Sequence, residues 1–394
     1  MSEDRHDVAV IGAGMGGLAA AQALRQIGLG VAVFEQAPEF ARVGAGIQLS
    51  PNACRALDAI GALESAQRDA VRPMLHRSFE WRTGQIDVEV PLADAVEARF
   101  GAPYLQLHRA DLHSALLGRV QRASSAAEGD VRVATGRHLV DLVEDSNGVQ
   151  LRFSDGPPAA AALVIGADGV RSTVRELLFG PADPIFAQRV AYRSTLPASA
   201  ISELDIPVIS AKWWGVDRHF VHYYVDRCRE LNFVAILPAD EWRTESWTAR
   251  GDVGDMIQAL DGFHEKVQAI VRATTEVYKW ALFDREPLDR WSAGRIALLG
   301  DAAHPMLPHM AQGAAMALED AVMLARCVAE DSDPGSETGL RRYEASRRER
   351  TNAVQAGSRA NSYLRADEDS GHAATDWVWG FDAATAPLAE PAAQ

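Results

Sequence analysis

Three short stretches, far apart in a chain of 394 residues, carry glycine and aspartate where a backbone can turn tightly and present N–H groups or a carboxylate to a ligand. The first is Gly12-Ala13-Gly14-Met15-Gly16-Gly17, the second Gly166-Ala167-Asp168-Gly169, the third Gly300-Asp301-Ala302-Ala303-His304-Pro305. In the first, the G-x-G-x-x-G spacing assigns a tight turn to Gly12, close approach of backbone to a pyrophosphate to Gly14, and close packing of helix on strand to Gly17. A helix opening there offers free N–H groups and the positive end of its dipole to phosphate. Glu35, about 20 residues further on, stands where a carboxylate accepts hydrogen bonds from an adenosine ribose, and it would repel a 2′-phosphate.

Asp301, at the end of an apolar run, can accept from a ribityl chain, and Gln312, Gly313 and Ala314 open a helix small enough for a ring system to lie against. Asp168 ends another such run. Arg171 and Arg175 follow it, as cofactor or pyridine-nucleotide contacts or else as surface arginines pairing with Glu176. Arg109 is a further cofactor contact on the same footing. Several distant turns imply one long ligand gripped at several points, which FAD fits better than NAD. A second G-x-G-x-x-G is missing, so NADH or NADPH acts as a transient reductant, or the substrate itself reduces the flavin.

The elements that must position these residues follow from hydrophobic periodicity. Residues 7–35 read as β-α-β, residues 104–112 as strand, cap and helix, and residues 296–301 as a buried strand before a long helix from about Gln312. Residues 73–103, with a hairpin around Thr83-Gly84, and residues from about 185 to 280 alternate like an antiparallel sheet. The fold class is therefore α/β: a Rossmann-like FAD-binding domain (1–72, 104–184 and 277–350) carrying an inserted, mostly antiparallel β-sheet substrate domain (73–103 and 185–276). A C-terminal helix and tail occupy 351–394. Residues 366–394 read as loosely ordered, with Trp377, Trp379 and Phe381 as anchors.

A formal charge of −15 disfavours nucleic acid or an anionic membrane as partner. No apolar run reaches a membrane span, and the polar N-terminus leads straight into a strand, so a cytoplasmic protein is expected. Cys54, Cys228 and Cys327 are too widely spaced for a disulfide framework or a metal site. The basic run Arg341-Arg342…Arg347-Arg348-Glu349-Arg350 reads as a solvated helix face.

Together the three motifs resemble the single-component (group A) flavin aromatic hydroxylases, over roughly residues 5–350. Within that family Lys212-Trp213-Trp214, Asp217-Arg218-His219, Tyr223-Tyr224 and residues 304–313 are most similar to its 6-hydroxynicotinate-hydroxylating branch. Gly44-Ala45-Gly46-Ile47 and Pro51-Asn52 are shared with salicylate hydroxylase-like enzymes. The resemblance implies a p-hydroxybenzoate hydroxylase-like fold, non-covalent FAD, hydride from NADH or NADPH, and O₂ activated as a flavin C4a-hydroperoxide. The substrate it implies is a small hydroxylated aromatic or pyridine carboxylate, with loss of CO₂ where the attacked carbon bears the carboxylate. A homodimer is what the family suggests.

By position, Tyr223 is assigned to the ring hydroxyl, His219 to the substrate carboxylate or hydroxyl, and His309 to orienting the ring, against the alternatives of structural histidines and a packed tyrosine. Four apart on a β-type segment, His219 and Tyr223 share a face. Gln48 departs from the branch, which carries a histidine there, and an amide cannot act as a base near pH 7. Ser210 likewise replaces a cysteine. A salicylate or hydroxybenzoate hydroxylase stays close behind. A flavin halogenase lacks its Trp-x-Trp-x-Ile-Pro here, and a non-catalytic FAD-binding redox module is the non-enzyme alternative.

Overall fold

The computed structural model describes residues 4–42, 45–122, 127–240, 250–331, 333, 335–361 and 376–390. Gly44, in one of the motifs above, lies outside them. Strands that are apolar on both faces belong in the middle of a parallel sheet. Val31–Phe34, Ala159–Gly166 and Ile296–Leu298 obey that rule, as does the second half of Asp4–Ile11, from Val8 onward. They line up in the order Ile296–Leu298, Ala159–Gly166, Asp4–Ile11, Val31–Phe34, Val131–Ala134, all parallel.

Register then does what the sequence could only imply. Ile11 is opposite Gly166, and Gly166 is opposite Leu298. The three motifs therefore leave neighbouring strands at the same level, at the carboxyl edge where open α/β sheets bind ligands.

The second sheet runs Tyr278–Asp284, Ile185–Pro197, Glu230–Pro238, His219–Val225, Ser210–Trp214, Leu75–Glu80, Ile86–Pro91. Its one parallel pairing among the described residues joins Ser210–Trp214 to Leu75–Glu80. Directly opposed residues share a face. One face carries Tyr192, Trp213, Phe220 and Phe233 and packs on the helices Val253–Ala259 and Glu265–Arg272. Those two helices interrupt the antiparallel alternation expected from about 185 to 280: Val267, Ile270 and Val271 fall at helical spacing between strands. The other face is polar in its middle and looks toward the first sheet.

Two helices, Gly313–Ala329 and Glu337–Ala360, close the first sheet. The second runs unbroken through position 350, where the sequence reading changes domain. It also corrects the solvated-face reading of the basic run. Arg347 is fully buried, its Nη1 2.7 Å from Glu319 and its Nε 2.7 Å from Asp320, and Arg350 pairs with Glu319 at 2.8 Å. Charge pattern alone could not show this, because the partners sit on the preceding helix.

The tail reading divides. Trp379 is buried and Phe381 lies over the Arg350 guanidinium at 4.0 Å, whereas Trp377, 43% exposed, meets that guanidinium only at 5.6 Å. Among the described residues no helix is long and apolar enough to cross a membrane.

Candidate active site

The helix Met15–Gln26 begins at Gly14 with no side-chain cap, so its first-turn N–H groups face outward. Gly12 adopts φ +100°, and a Cβ there would lie 2.5 Å from the Ala167 carbonyl oxygen. At Gly17 a Cβ would lie 1.9 Å from the Gly12 carbonyl oxygen, while at Gly14 it would meet no protein atom within 4 Å. Two glycines thus serve packing and one keeps a space clear. Glu35 accepts from the N–H of Ala13 and of Ala37, both at 2.8 Å, which fixes its carboxylate beside that space.

Asp301 is solvent-accessible, yet protein surrounds it closely enough that burial raises its carboxyl above the usual range, opposed by His304 and Arg109. A Cβ on Gly313 would come within 3.9 Å of Asp301 Oδ1, so the third motif and the uncapped start of the helix Gly313–Ala329 share one wall. Ala314 follows on the same turn, half-buried. Gln312 is committed elsewhere: its amide donates to Ser50 Oγ at 2.9 Å and accepts from Asn52 at 3.0 Å. An uncapped glycine turn, a clear space above it, a ribose-type carboxylate and a second uncapped helix start fit a dinucleotide such as FAD.

Asp168 and its arginines behave differently. Asp168 accepts from Ser172 Oγ at 2.5 Å and from the Val174 N–H at 3.1 Å, capping the helix Thr173–Phe179. Arg175 is buried, donating to the carbonyls of Val170 (2.9 Å) and Ala302 (3.2 Å), so it ties the second motif to the third. Burial, then Arg285, lowers its guanidinium to about 10. Neither surface pairing with Glu176 nor an open cationic contact describes it. Arg171 is exposed. Arg109, exposed at the head of the helix Arg109–Val120, faces both Asp301 and Arg193 electrostatically.

The polar face of the second sheet can be read row by row. One row holds Thr195, Asn232 and Tyr223, with Ser210 beside His76; the next Arg193, Val234, Val221, Lys212 and Ser78; the third Ala191, Ile236, His219 and Trp214. His219 and Tyr223 are therefore on one face. The Tyr223 ring rests where a Cβ on Gly46 would fall, 2.7 Å from its Cε2, and Asn232 accepts the Gly46 N–H at 2.7 Å. Burial raises the Tyr223 phenol and Arg193 opposes it, so the hydroxyl stays a donor through neutral pH.

His219 and His309 stand edge to face with ring centres 5.6 Å apart. His309 Nδ1 donates to the Ser358 carbonyl at 2.7 Å, leaving Nε2 an acceptor with no partner among the described residues. Burial lowers this imidazole to about 4, against the Ser358 bond and helped by Lys212 and Arg189, so it is neutral. Gln48 bridges Tyr104 Oη (3.1 Å) and Ser210 Oγ (2.9 Å), and Ser210 Oγ meets His76 Nδ1 at 3.1 Å. Gln48 and Ser210, the two departures noted in the sequence, are hydrogen-bonded to each other.

Sequence reasoning missed four residues of this face. Arg193 lies 5.0 Å over Trp280, makes no ion pair among the described residues, and leaves Nε without a partner. Lys212 is buried with its ammonium 3.8 Å over Trp214, close enough to push both His76 and His309 down. Asn232 and His76 complete the set. Alternation on the strands 185–197 and 210–214 was the available signal: a cation at an inward position of a buried strand.

Behind the third motif lies a network that the sequence did not announce. His304 Nε2 is 2.6 Å from Asp320 Oδ2, which also accepts the Gly300 N–H at 3.2 Å, and Asn52 donates to Glu319 at 2.7 Å.

The family described as "FAD binding domain" matches residues 5–358. The chain is 41% identical to 6-hydroxynicotinate 3-monooxygenase of Pseudomonas fluorescens, over 98% of this chain and 97% of that one. It is 37% identical to 3-amino-4-hydroxybenzoate 2-monooxygenase of Streptomyces cremeus, over 95% and 94%. A salicylate hydroxylase–substrate complex superposes with TM-score 0.81 at 26% identity, covering 97% of this chain and 96% of that one.

Proposed function

The chain belongs to the FAD-binding family of flavin-dependent aromatic monooxygenases, and from that premise we propose that it hydroxylates a small hydroxylated aromatic or N-heteroaromatic carboxylate, 6-hydroxynicotinate foremost. When bound, FAD takes hydride from NADH or NADPH and activates O₂ for transfer of one oxygen atom to the ring. Gly14 and Glu35 would hold its pyrophosphate and adenosine on the turn that Gly12 and Gly17 pack, Asp301 its ribityl chain, and Gly313 and Ala314 its ring system, with Arg109 at the rim. Asp168 and Gln312 support this cradle from behind. NADH or NADPH docks transiently, in keeping with the single glycine fingerprint.

The carrying observation is the Tyr223 phenol held as a donor on the same face as Arg193 and Lys212. A ring hydroxyl must be deprotonated or strongly hydrogen-bonded before the ring is nucleophilic enough to accept oxygen. Tyr223 donates to that oxygen, the two cations favour the anionic form of the substrate, and His219 and His309 orient the ring. The substrate domain of residues 73–103 and 185–276 supplies these groups. A cytoplasmic homodimer completes the reading.

A second substrate class has one observation in its favour. Gln48 and Ser210 offer an amide and a hydroxyl bonded to each other, with no titratable group of their own, which suits a salicylate-like or hydroxybenzoate ring without a pyridine nitrogen. NADH and NADPH consumption with 6-hydroxynicotinate, salicylate and 3- and 4-hydroxybenzoate tests both, with product and CO₂ identified by mass spectrometry. Coupled turnover of 6-hydroxynicotinate with CO₂ release supports the first reading, turnover of a benzoate alone supports the second, and no substrate-stimulated oxidation overturns both.

A further inference from the structure

A cavity of about 260 Å³ opens at the hairpin end of the second sheet, against the end of the helix Glu337–Ala360. Arg189, Arg218, Arg359 and Trp214 line it, and His219 and His309 are part of its wall; Tyr223, Gln48, Asp301 and Gly313 are not. His219 and Tyr223 are four residues apart on one strand, so their Cα atoms are separated by about 13 Å. His219 and His309, which the functional reading sets against the substrate ring, form part of its wall, so the cavity adjoins that site while Tyr223 lies beyond its lining.

Its charges are unequally satisfied. Arg218 pairs with Asp217 at 2.7 Å, and Arg359 with Asp284 and, at 3.4 Å, Glu286. Arg189 donates to the Asp217 carbonyl and helps Arg218 to hold the Asp217 carboxyl below the usual range, but makes no ion pair of its own among the described residues. His309, more than nine-tenths buried, adds an unpartnered Nε2. From Arg189 the positive charge continues inward: Lys212 and Arg193 sit in the sheet row between that of His219 and that of Tyr223. The volume is below the roughly 300–1,000 Å³ of sites for drug-sized ligands, which suits a single-ring acid and excludes a dinucleotide.

We propose that this cavity is an antechamber, a second site that captures the aromatic carboxylate through Arg189 and passes it between His219 and His309, along Lys212 and Arg193, to Tyr223. It rests on the functional reading above. Electrostatic capture of this kind acts on the association rate and is weakened by salt.

The test is rapid mixing of the oxidised, FAD-loaded enzyme with 6-hydroxynicotinate, or with the benzoate turned over in its place, followed by the flavin absorbance change. In the wild type the observed rate should saturate with acid concentration, reporting capture before transfer, and should fall as salt rises. Arg189→Gln should raise the half-saturating concentration about tenfold and lose most of the salt dependence, with FAD content and kcat at saturation unchanged. Arg189→Lys should restore both. Should Arg189→Gln fail to load FAD, the saturation and salt dependence of the wild-type rate carry the same test. An unsaturating, salt-independent wild-type rate, or an Arg189→Gln enzyme with wild-type association, overturns the antechamber alone. A wild type whose flavin responds to no acid of the panel overturns the functional reading and the antechamber with it.

Discussion

His304 Nε2 and Asp320 Oδ2 lie 2.6 Å apart with both side chains buried, directly behind the turn that presents Asp301. Burial alone would raise the Asp320 carboxyl, but His304 and Arg347 outweigh it and hold it below the usual range. The same carboxylate accepts the Gly300 N–H, so it fixes the backbone one residue before Asp301. Asp320→Asn keeps the shape and removes the charge, leaving Arg347 with Glu319 as its carboxylate partner and His304 Nε2 without a carboxylate. Breaking a buried pair from one side costs about 3–5 kcal/mol. Equilibrium denaturation should show a loss of that size, and FAD titration should show weaker binding; an Asn variant with wild-type stability and FAD affinity would refute the assignment.

Gly14 and Gly17 separate ligand space from packing space. A Cβ on Gly14 meets no protein atom within 4 Å, and its φ of −69° suits any residue. Gly14→Val should therefore give an apoprotein that folds with nearly unchanged stability and does not retain FAD. Gly17→Ala should lose the fold as well as the flavin, since its Cβ would lie 1.9 Å from the Gly12 carbonyl oxygen. Circular dichroism beside the 450 nm flavin band (a general property of oxidised flavin) distinguishes the two outcomes, and a yellow Gly14→Val protein would sink the cradle.

Removing the Tyr223 hydroxyl should leave FAD content and substrate-free NADH oxidation alone. Hydroxylation should fall by about a hundredfold or more, the scale on which a positioned proton donor acts. Product formed per NADH consumed is the quantity to measure in Tyr223→Phe. Loss of FAD with intact coupling would move Tyr223 from the site into the core.

Three buried histidines make the fold acid-sensitive. Burial lowers His76 and His222 to about 3 and His309 to about 4. An unfolded histidine titrates near 6.5, so between about pH 6.5 and 4 the unfolded chain binds protons that the native one refuses. Stability contributed by these groups is thus complete above about pH 6.5 and falls with pH, by up to about 1.4 kcal/mol per unit for each. Denaturant midpoints from pH 7.5 to 4.5 should drop accordingly. His222→Phe, on the face away from the site, should reduce that slope by about a third.

Much of the cofactor half was legible because its chemistry is local. Gly12, Gly14, Gly17 and Glu35 announce a β-α-β turn within a few dozen residues, and the helix after Gln312 begins one residue from where its small residues place it. What the sequence could not show depends on partners brought by tertiary pairing. Arg347 looks solvated until Glu319 and Asp320 on the neighbouring helix are seen, and Arg175 looks like a surface residue until the carbonyls of Val170 and Ala302 close on it. Lys212 and Arg193 were hidden for a similar reason: only strand register puts them in one row.

The alignment of Ile11 with Gly166, and of Gly166 with Leu298, has a consequence for how the holoenzyme is born. Each motif leaves a different strand, and the third joins the sheet only when Ile296–Leu298 docks. Closing so long a loop is slow and must precede any reward from the contacts it creates. On the ribosome the first glycine turn is exposed long before its partners are translated. A cofactor that needs all three turns would therefore bind after the sheet has closed rather than template the early chain.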